Sequence, residues 1–172
     1  MKVPMRLMGF CCLLLISTSN AAQAADPGDT ASIESTLAAV YESISGEAGE
    51  ARDWARFLNL FADQATLSFL TQTDSGVWQR VVMTPESYIE RAGSNLERDG
   101  FFEIETNSVI ERFGHIAHVF STYESRRSAS DREPFARGIN SFQLMFDGER
   151  WYVVSIYWQA ESEEHRIPGR YE

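Results

Sequence analysis

His118, Tyr123 and Arg137 are the side chains of this chain whose types could together do acid–base chemistry on a small organic substrate. Histidine has the ordinary pKa nearest neutrality, so His118, close to Tyr123 and Glu124, is a candidate general base. A guanidinium buried without an anion is costly, so Arg137 needs either an acid or an anionic ligand such as a carboxylate or enolate. Plainer roles stand beside these. His118 can be satisfied within a sheet, and Glu124 or another strand acid can pair with Arg137. His115 and His118 do not read as a metal pair, because residues three apart on a strand point to opposite faces. No third ligand is evident, and neither a metal nor a cofactor is expected.

The elements that must position these groups are mainly strands. Phe135 to Phe146 and Arg150 to Gln159 are rich in aromatic and β-branched residues, and Asp147-Gly148 lies between them. Asp-Gly between two such runs signals a tight hairpin whose turn residues both reach positive φ. Parity then divides the hairpin into two faces. One carries Arg137, Ile139, Ser141, Gln143 and Met145 with Tyr152, Val154, Ile156 and Trp158. The other carries Gly138, Asn140, Phe142, Leu144 and Phe146 with Trp151, Val153, Ser155 and Tyr157. The first face mixes apolar walls with a few polar groups, as ligand pockets do. Ser141, Gln143, Val154, Ile156 and Trp158 are therefore assigned to a pocket. The second face suits contact with another copy, which makes a homodimer through the convex sheet face the expected assembly. This assignment holds for a loop of two or four residues; a three-residue loop with a bulge would reverse half of it.

Earlier in the chain, Ile33, Leu37, Val40, Tyr41 and Ile44 form one apolar stripe, a helix that Asp29 or Thr30 could cap. A short helix from Asp53 presents Trp54, Phe57, Leu58 and Phe61. Strands follow at Ala65 to Thr71 and Val77 to Met83. Thr84-Pro85-Glu86 starts a third helix by providing a cap, a first-turn proline and an acid. Phe101 to Phe113 and His115 to Arg126 read as strands. Trp54, Phe57, Trp78 and Tyr88 are candidate pocket walls, although aromatics at such spacing also serve simply as core.

The ends and the charge narrow the function. Lys2 and Arg6 precede the apolar run Leu7 to Ile16, and Ala22-Gln23-Ala24 gives a small-residue cleavage site. Residues 1–24 are therefore expected to be a cleaved export signal, too short for the roughly 20 apolar residues of a membrane span. Cleavage would remove Cys11, Cys12 and Lys2, leaving no thiol, disulfide or Schiff-base lysine. The formal net charge of −10 disfavours nucleic acid and anionic membrane as partners. Residues 25–160 read as one domain, and 161–172 as a charged tail that is draped or mobile.

Helix, helix, strand, strand, helix and four long strands is an α+β order, a curved antiparallel sheet forming a cone around about three helices. With the motifs Trp54-x-x-Phe57-x-x-Leu60-Phe61-Ala62-Asp63-x-Ala65-x-Leu67 and Asp147-Gly148-x-Arg150-Trp151-Tyr152-Val153-Val154-Ser155, the chain resembles the nuclear transport factor 2-like superfamily and its SnoaL-like group over roughly residues 30 to 160. The resemblance implies a cystatin-like roll enclosing a conical pocket, in a superfamily that includes isomerases, dehydratases, cyclases and binders. Ketosteroid isomerase-like members place an aspartate base soon after the Ala-Asp-x-Ala motif, where this chain has Ser68-Phe69. That machinery does not carry over. The expected function is an exported small-molecule-binding domain. The alternatives are a metal-free SnoaL-like enzyme using His118, Tyr123 and Arg137 for proton transfer or dehydration, and a dimeric interaction module.

Overall fold

The computed structural model describes residues 26–172. The expected export signal, with Cys11, Cys12 and Lys2, lies outside the described residues. After a 3-10 turn (Pro27–Thr30) come α1 (Ile33–Ile44), α2 (Trp54–Asn59), β1 (Phe61–Gln72) and β2 (Trp78–Met83). A helical segment follows as α3 (Pro85–Tyr88), a π turn (Ile89–Gly93) and α4 (Ser94–Asp99). The rest is β3 (Phe102–Phe113), β4 (Ile116–Arg126), β5 (Ala136–Phe146) and β6 (Trp151–Ala160), with a last 3-10 turn at Gly169–Tyr171.

Local chemistry sets the helix starts. Ser32, not Asp29 or Thr30, caps α1 through a reciprocal pair with Ser35. Asp29 is buried against Arg56, 2.8 Å away, whose guanidinium holds its carboxyl below the usual range. Asp53 and Thr84 cap α2 and α3 by accepting from the amides of Arg56 and Ser87. Gly100 ends α4 at φ 72°, where a Cβ would strike the Arg127 carbonyl.

The six strands form one curved, unclosed sheet in the order β2-β1-β6-β5-β4-β3. All neighbours are antiparallel except β1 and β6, which run parallel. These two lie at opposite ends of the strand sequence, so no hairpin dictates their relative direction. The helices cover the concave face. Leu37, Val40, Tyr41 and Ile44 of α1 and Phe57 of α2 pack there against Leu67, Val119, Phe142, Val153 and Ile156.

The β5–β6 hairpin differs from expectation in two ways. Phe146 pairs with Trp151, so the loop has four residues, and only Gly148 reaches positive φ. The Asp147 carboxylate accepts from the amides of Glu149 and Arg150, which supplies the turn by side chain instead. A bulge then shifts the register: Leu144 faces Val153, but Gln143 faces Ser155. Before the bulge the odd residues of β6 point inward; after it, the even ones do. Ile156 and Trp158 therefore join Asn140 and Phe142 on the concave face.

The charged tail is packed. Ile167 is buried, Thr122 Oγ1 donates to the Tyr171 carbonyl at 2.6 Å, and the Phe120 and Tyr171 rings lie 5.1 Å apart. It lies on the convex face, where Arg137 meets Glu161 at 3.4 Å and Glu172 at 3.9 Å.

Candidate functional site

The concave face and the helices enclose a cavity of about 260 Å³. Val40, Tyr41 and Ile44 come from α1, Phe57 from α2, Tyr88 from α3 and Leu96 from α4; Phe101, Glu103, Tyr123, Ser125, Asn140, Phe142, Ile156 and Trp158 come from the strand side. Aromatic walls dominate, with Phe57 stacked on Tyr88 at 5.6 Å.

Glu103 is the one acid in this lining. Its carboxylate accepts from Ser125 Oγ at 3.0 Å and Asn140 Nδ2 at 3.2 Å. Burial nevertheless dominates and pushes its pKa up to about 7. The same burial, with Glu103 nearby, keeps the phenols of Tyr88 and Tyr123 neutral, well above their ordinary range.

Three tyrosines reach this region, but they are not equivalent. Ser121 gives its proton to Glu105, so Tyr41 must donate to Ser121 Oγ, 2.6 Å away, while accepting from Asn140 Nδ2 at 3.1 Å. The proton of Tyr41 is thus directed away from the cavity. Among the described residues, the hydroxyls of Tyr88 and Tyr123 have no hydrogen-bond partner and remain free for a guest.

Gly138 makes room for Tyr123. The two residues pair across β4 and β5, and a Cβ on Gly138 would meet the Tyr123 hydroxyl and the Gln159 carbonyl. Gly138→Ala is expected to cost about 1–3 kcal/mol and to push the Tyr123 ring into the cavity. Urea unfolding combined with a ligand titration checks both effects; unchanged stability would contradict the contact.

The sequence-derived triplet does not assemble. Tyr123 faces the cavity, whereas His118 and Arg137 lie on the convex face. His118 Nε2 contacts Ser141 Oγ at 3.1 Å, and Arg137 meets Glu124 at 3.5 Å in addition to the tail acids. Of the candidate pocket walls, Phe57, Tyr88, Ile156 and Trp158 line the cavity. Trp54 stands behind them, donating its indole N–H to Glu97 at 2.8 Å. Trp78 is exposed on edge strand β2, and Ser141, Gln143 and Val154 face outward.

Glu103 escapes a reading of the sequence because β3 also bulges; Asn140 sits on the hairpin face expected to meet another copy, and Ser125 carries no signal of its own. Glu105 faces Tyr123 while Asn107 faces Thr122, leaving Thr106 as the extra residue. Uninterrupted alternation from Ile110 and Ser108 would have sent Ile104 and Phe102 inward. Instead Glu103 and Glu105 turn in, and Ile104 is left 46 % exposed.

No family model matches the chain, and no curated protein matches it. Solved structures do match. A cystatin-like protein of unknown function from Nostoc punctiforme aligns with TM-score 0.58 at 16 % identity, covering 76 % of this chain and 90 % of that one. A nuclear transport factor 2-like protein of unknown function from Silicibacter pomeroyi aligns with TM-score 0.50 at 12 % identity, covering 76 % and 94 %. The fold is nuclear transport factor 2-like. LinA aligns with TM-score 0.55 at 10 % identity, covering 80 % of this chain and 92 % of its own. At these identities the likeness concerns the nuclear transport factor 2-like cone alone, and the chemistry within it must be argued from the cavity residues.

Proposed function

We propose that this chain is an exported small-molecule-binding protein whose ligand lies in the cone, with a polar atom held between Glu103, Tyr88 and Tyr123. The observation that carries this reading is the pair of unpartnered phenol hydroxyls on one apolar cavity. Both residues line the cavity and their hydroxyls engage no protein group, so a polar atom of a guest can take the hydrogen bonds that water otherwise makes there. Native mass spectrometry on protein purified from its host should reveal a retained ligand. Displacement of an apolar fluorescent dye supplies an affinity scale for candidate ligands. Tyr88→Phe and Tyr123→Phe should each weaken binding about 5–15-fold, the worth of one hydrogen bond. Undiminished affinity in both variants would sink this placement.

A second reading follows from the proton affinity of Glu103. A carboxyl that titrates near neutrality can serve as general base or acid, with the two phenols holding an oxygen on which charge develops. Enzymatic proton transfer would then run through Glu103 in place of His118. Solvent deuterium entering a bound carbonyl compound, and failing to enter with Glu103→Gln, is the outcome expected of this reading.

Export is supported by Lys2 and Arg6, the Leu7–Ile16 run and the Ala22-Gln23-Ala24 site. Association of two copies through the convex face is supported by the apolar side chains left open beside the tail: Val109, Phe113, Ile116, Met145, Val154 and Tyr157. Light scattering should give twice the chain mass, and a clean monomer would contradict the dimer.

A further inference from the structure

We propose that the guest of the cone is an organic cation, an alkylammonium held among aromatic side chains with Glu103 as its counter-ion. This rests on the binding reading above and adds the ligand's charge. The cavity lining contains one carboxylate and no arginine, lysine or histidine. An anionic guest would meet Glu103 with nothing to compensate it, whereas a cation would supply the missing partner. Phe57, Phe101 and Trp158, together with the rings of Tyr88 and Tyr123, line the same cavity as that carboxylate. Aromatic enclosures attract ammonium groups through the negative faces of their rings, most strongly where water is excluded.

A second space points the same way. Tyr41 and Glu103 also wall a groove of about 610 Å³ between α1 and edge strand β3. Its other acids are Glu34, Glu42, Glu50 and Glu105, and no basic side chain lines it. Glu42 is tied to Arg56 at 2.7 Å, whereas Glu34, Glu50 and Glu105 have no ion-pair partner among the described residues. Such a field concentrates cations on the side of the molecule where Glu103 lies. A bare metal ion does not fit: among the described residues no three His, Cys, Asp or Glu side chains are grouped to hold one. Tyr123 lines the cone with a hydroxyl that has no hydrogen-bond partner among the described residues. That hydroxyl can accept from an ammonium N–H or donate to a hydroxyl on the guest.

The titratable groups around Glu103 are Tyr41 from α1, Tyr88 from α3 and Tyr123 from β4, all neutral phenols, with Glu105 further along β3. A bound cation favours the ionised carboxylate. The affinity of the cation should therefore fall about tenfold per pH unit below pH 7, while that of a neutral isostere stays level.

The test compares matched probes by calorimetry at pH 8: choline against 3,3-dimethylbutan-1-ol, and 2-phenylethylamine against 2-phenylethanol. At least one ammonium should bind about tenfold or more tighter than its neutral counterpart. That preference should collapse in Glu103→Gln, with folding of the variant verified by circular dichroism. If both neutral probes bind as well as their ammonium partners, or if the preference survives Glu103→Gln, the proposal is overturned. The same holds if neither ammonium binds to protein whose cone admits the apolar dye. A cone that takes neither dye nor any probe defeats the binding reading itself.

Discussion

Glu103→Gln should stabilise the ligand-free protein at pH 8 by about 2–3 kcal/mol and flatten its stability between pH 5 and pH 8. Folding encloses this carboxyl and raises its pKa from the ordinary 4.5 to about 7, with desolvation as the leading cause. Across that window the folded chain binds more protons than the unfolded one. Stability contributed by the group therefore grows as pH falls from 7 towards 4.5 and is lost as pH rises. The slope approaches 1.4 kcal/mol per pH unit, or about 3 kcal/mol across the window. Glutamine keeps an acceptor for Ser125 or Asn140 without the charge. Asp29 works in the opposite sense, since Arg56 depresses its pKa, but its stabilisation is lost only below its ordinary 3.8 and lies outside the window. Urea titrations of both proteins at pH 5 and pH 8 measure the effect. Equal destabilisation of the variant at both pH values would show that the carboxylate is not strained by burial. A gain in stability on removing a site residue is the pattern expected where a group is retained for function.

Arg52→Met should cost about 3–5 kcal/mol, a loss of the size that follows when a buried hydrogen-bond network is broken. Arg52 is 7 % exposed, and its guanidinium has no ion pair among the described residues. It donates instead to backbone carbonyls: Nε to Ile44 at 3.1 Å, Nη1 to Glu50 at 2.5 Å, and Nη2 to Gly46 at 2.7 Å and Leu96 at 2.9 Å. Ile44 is the last residue of α1, and Leu96 lies in α4, so one side chain satisfies carbonyls that neither short helix can pair internally. Both residues also line the cavity. Methionine fills the volume and leaves these acceptors unsatisfied. Lysine keeps the charge but has one nitrogen where the fork has three, so Arg52→Lys should recover only a small part of the loss. Chemical denaturation distinguishes them, and Arg52→Lys equal to wild type would refute the role of the fork.

Much of the frame is legible in the sequence because it is written in short-range chemistry. Asp53 and Thr84 announce α2 and α3 through their own side chains, and the stripe from Ile33 to Ile44 fixes the buried face of α1. The cavity is harder to read because it depends on where alternation breaks. One bulged residue in β3 turns Glu103 inward, and another irregularity in β6 puts Ile156 and Trp158 with Asn140 while Arg137, Ser141 and Gln143 face out. No local signal marks either position, since Thr106 and Val154 are ordinary strand residues. The cost of an unpaired guanidinium points to an acid beside Arg137, and it meets Glu124 together with two tail acids. Arg52 gives no sign of its role, as its partners are backbone atoms from three separate segments.

The bulge in β6 also gives the closing strand one residue more than its pairing with β5 needs. Upstream of it the strand supplies Trp151 and Val153 to the floor of the core; downstream it supplies Ile156 and Trp158 to the chamber wall. Losing one residue at Val154 would straighten the strand and leave both pairs facing inward, whereas straightening it with Val154 kept would rotate Ile156 and Trp158 to the outside and carry Ser155 and Tyr157 inward. The one extra residue thus decides what lines the chamber while the scaffold stays the same.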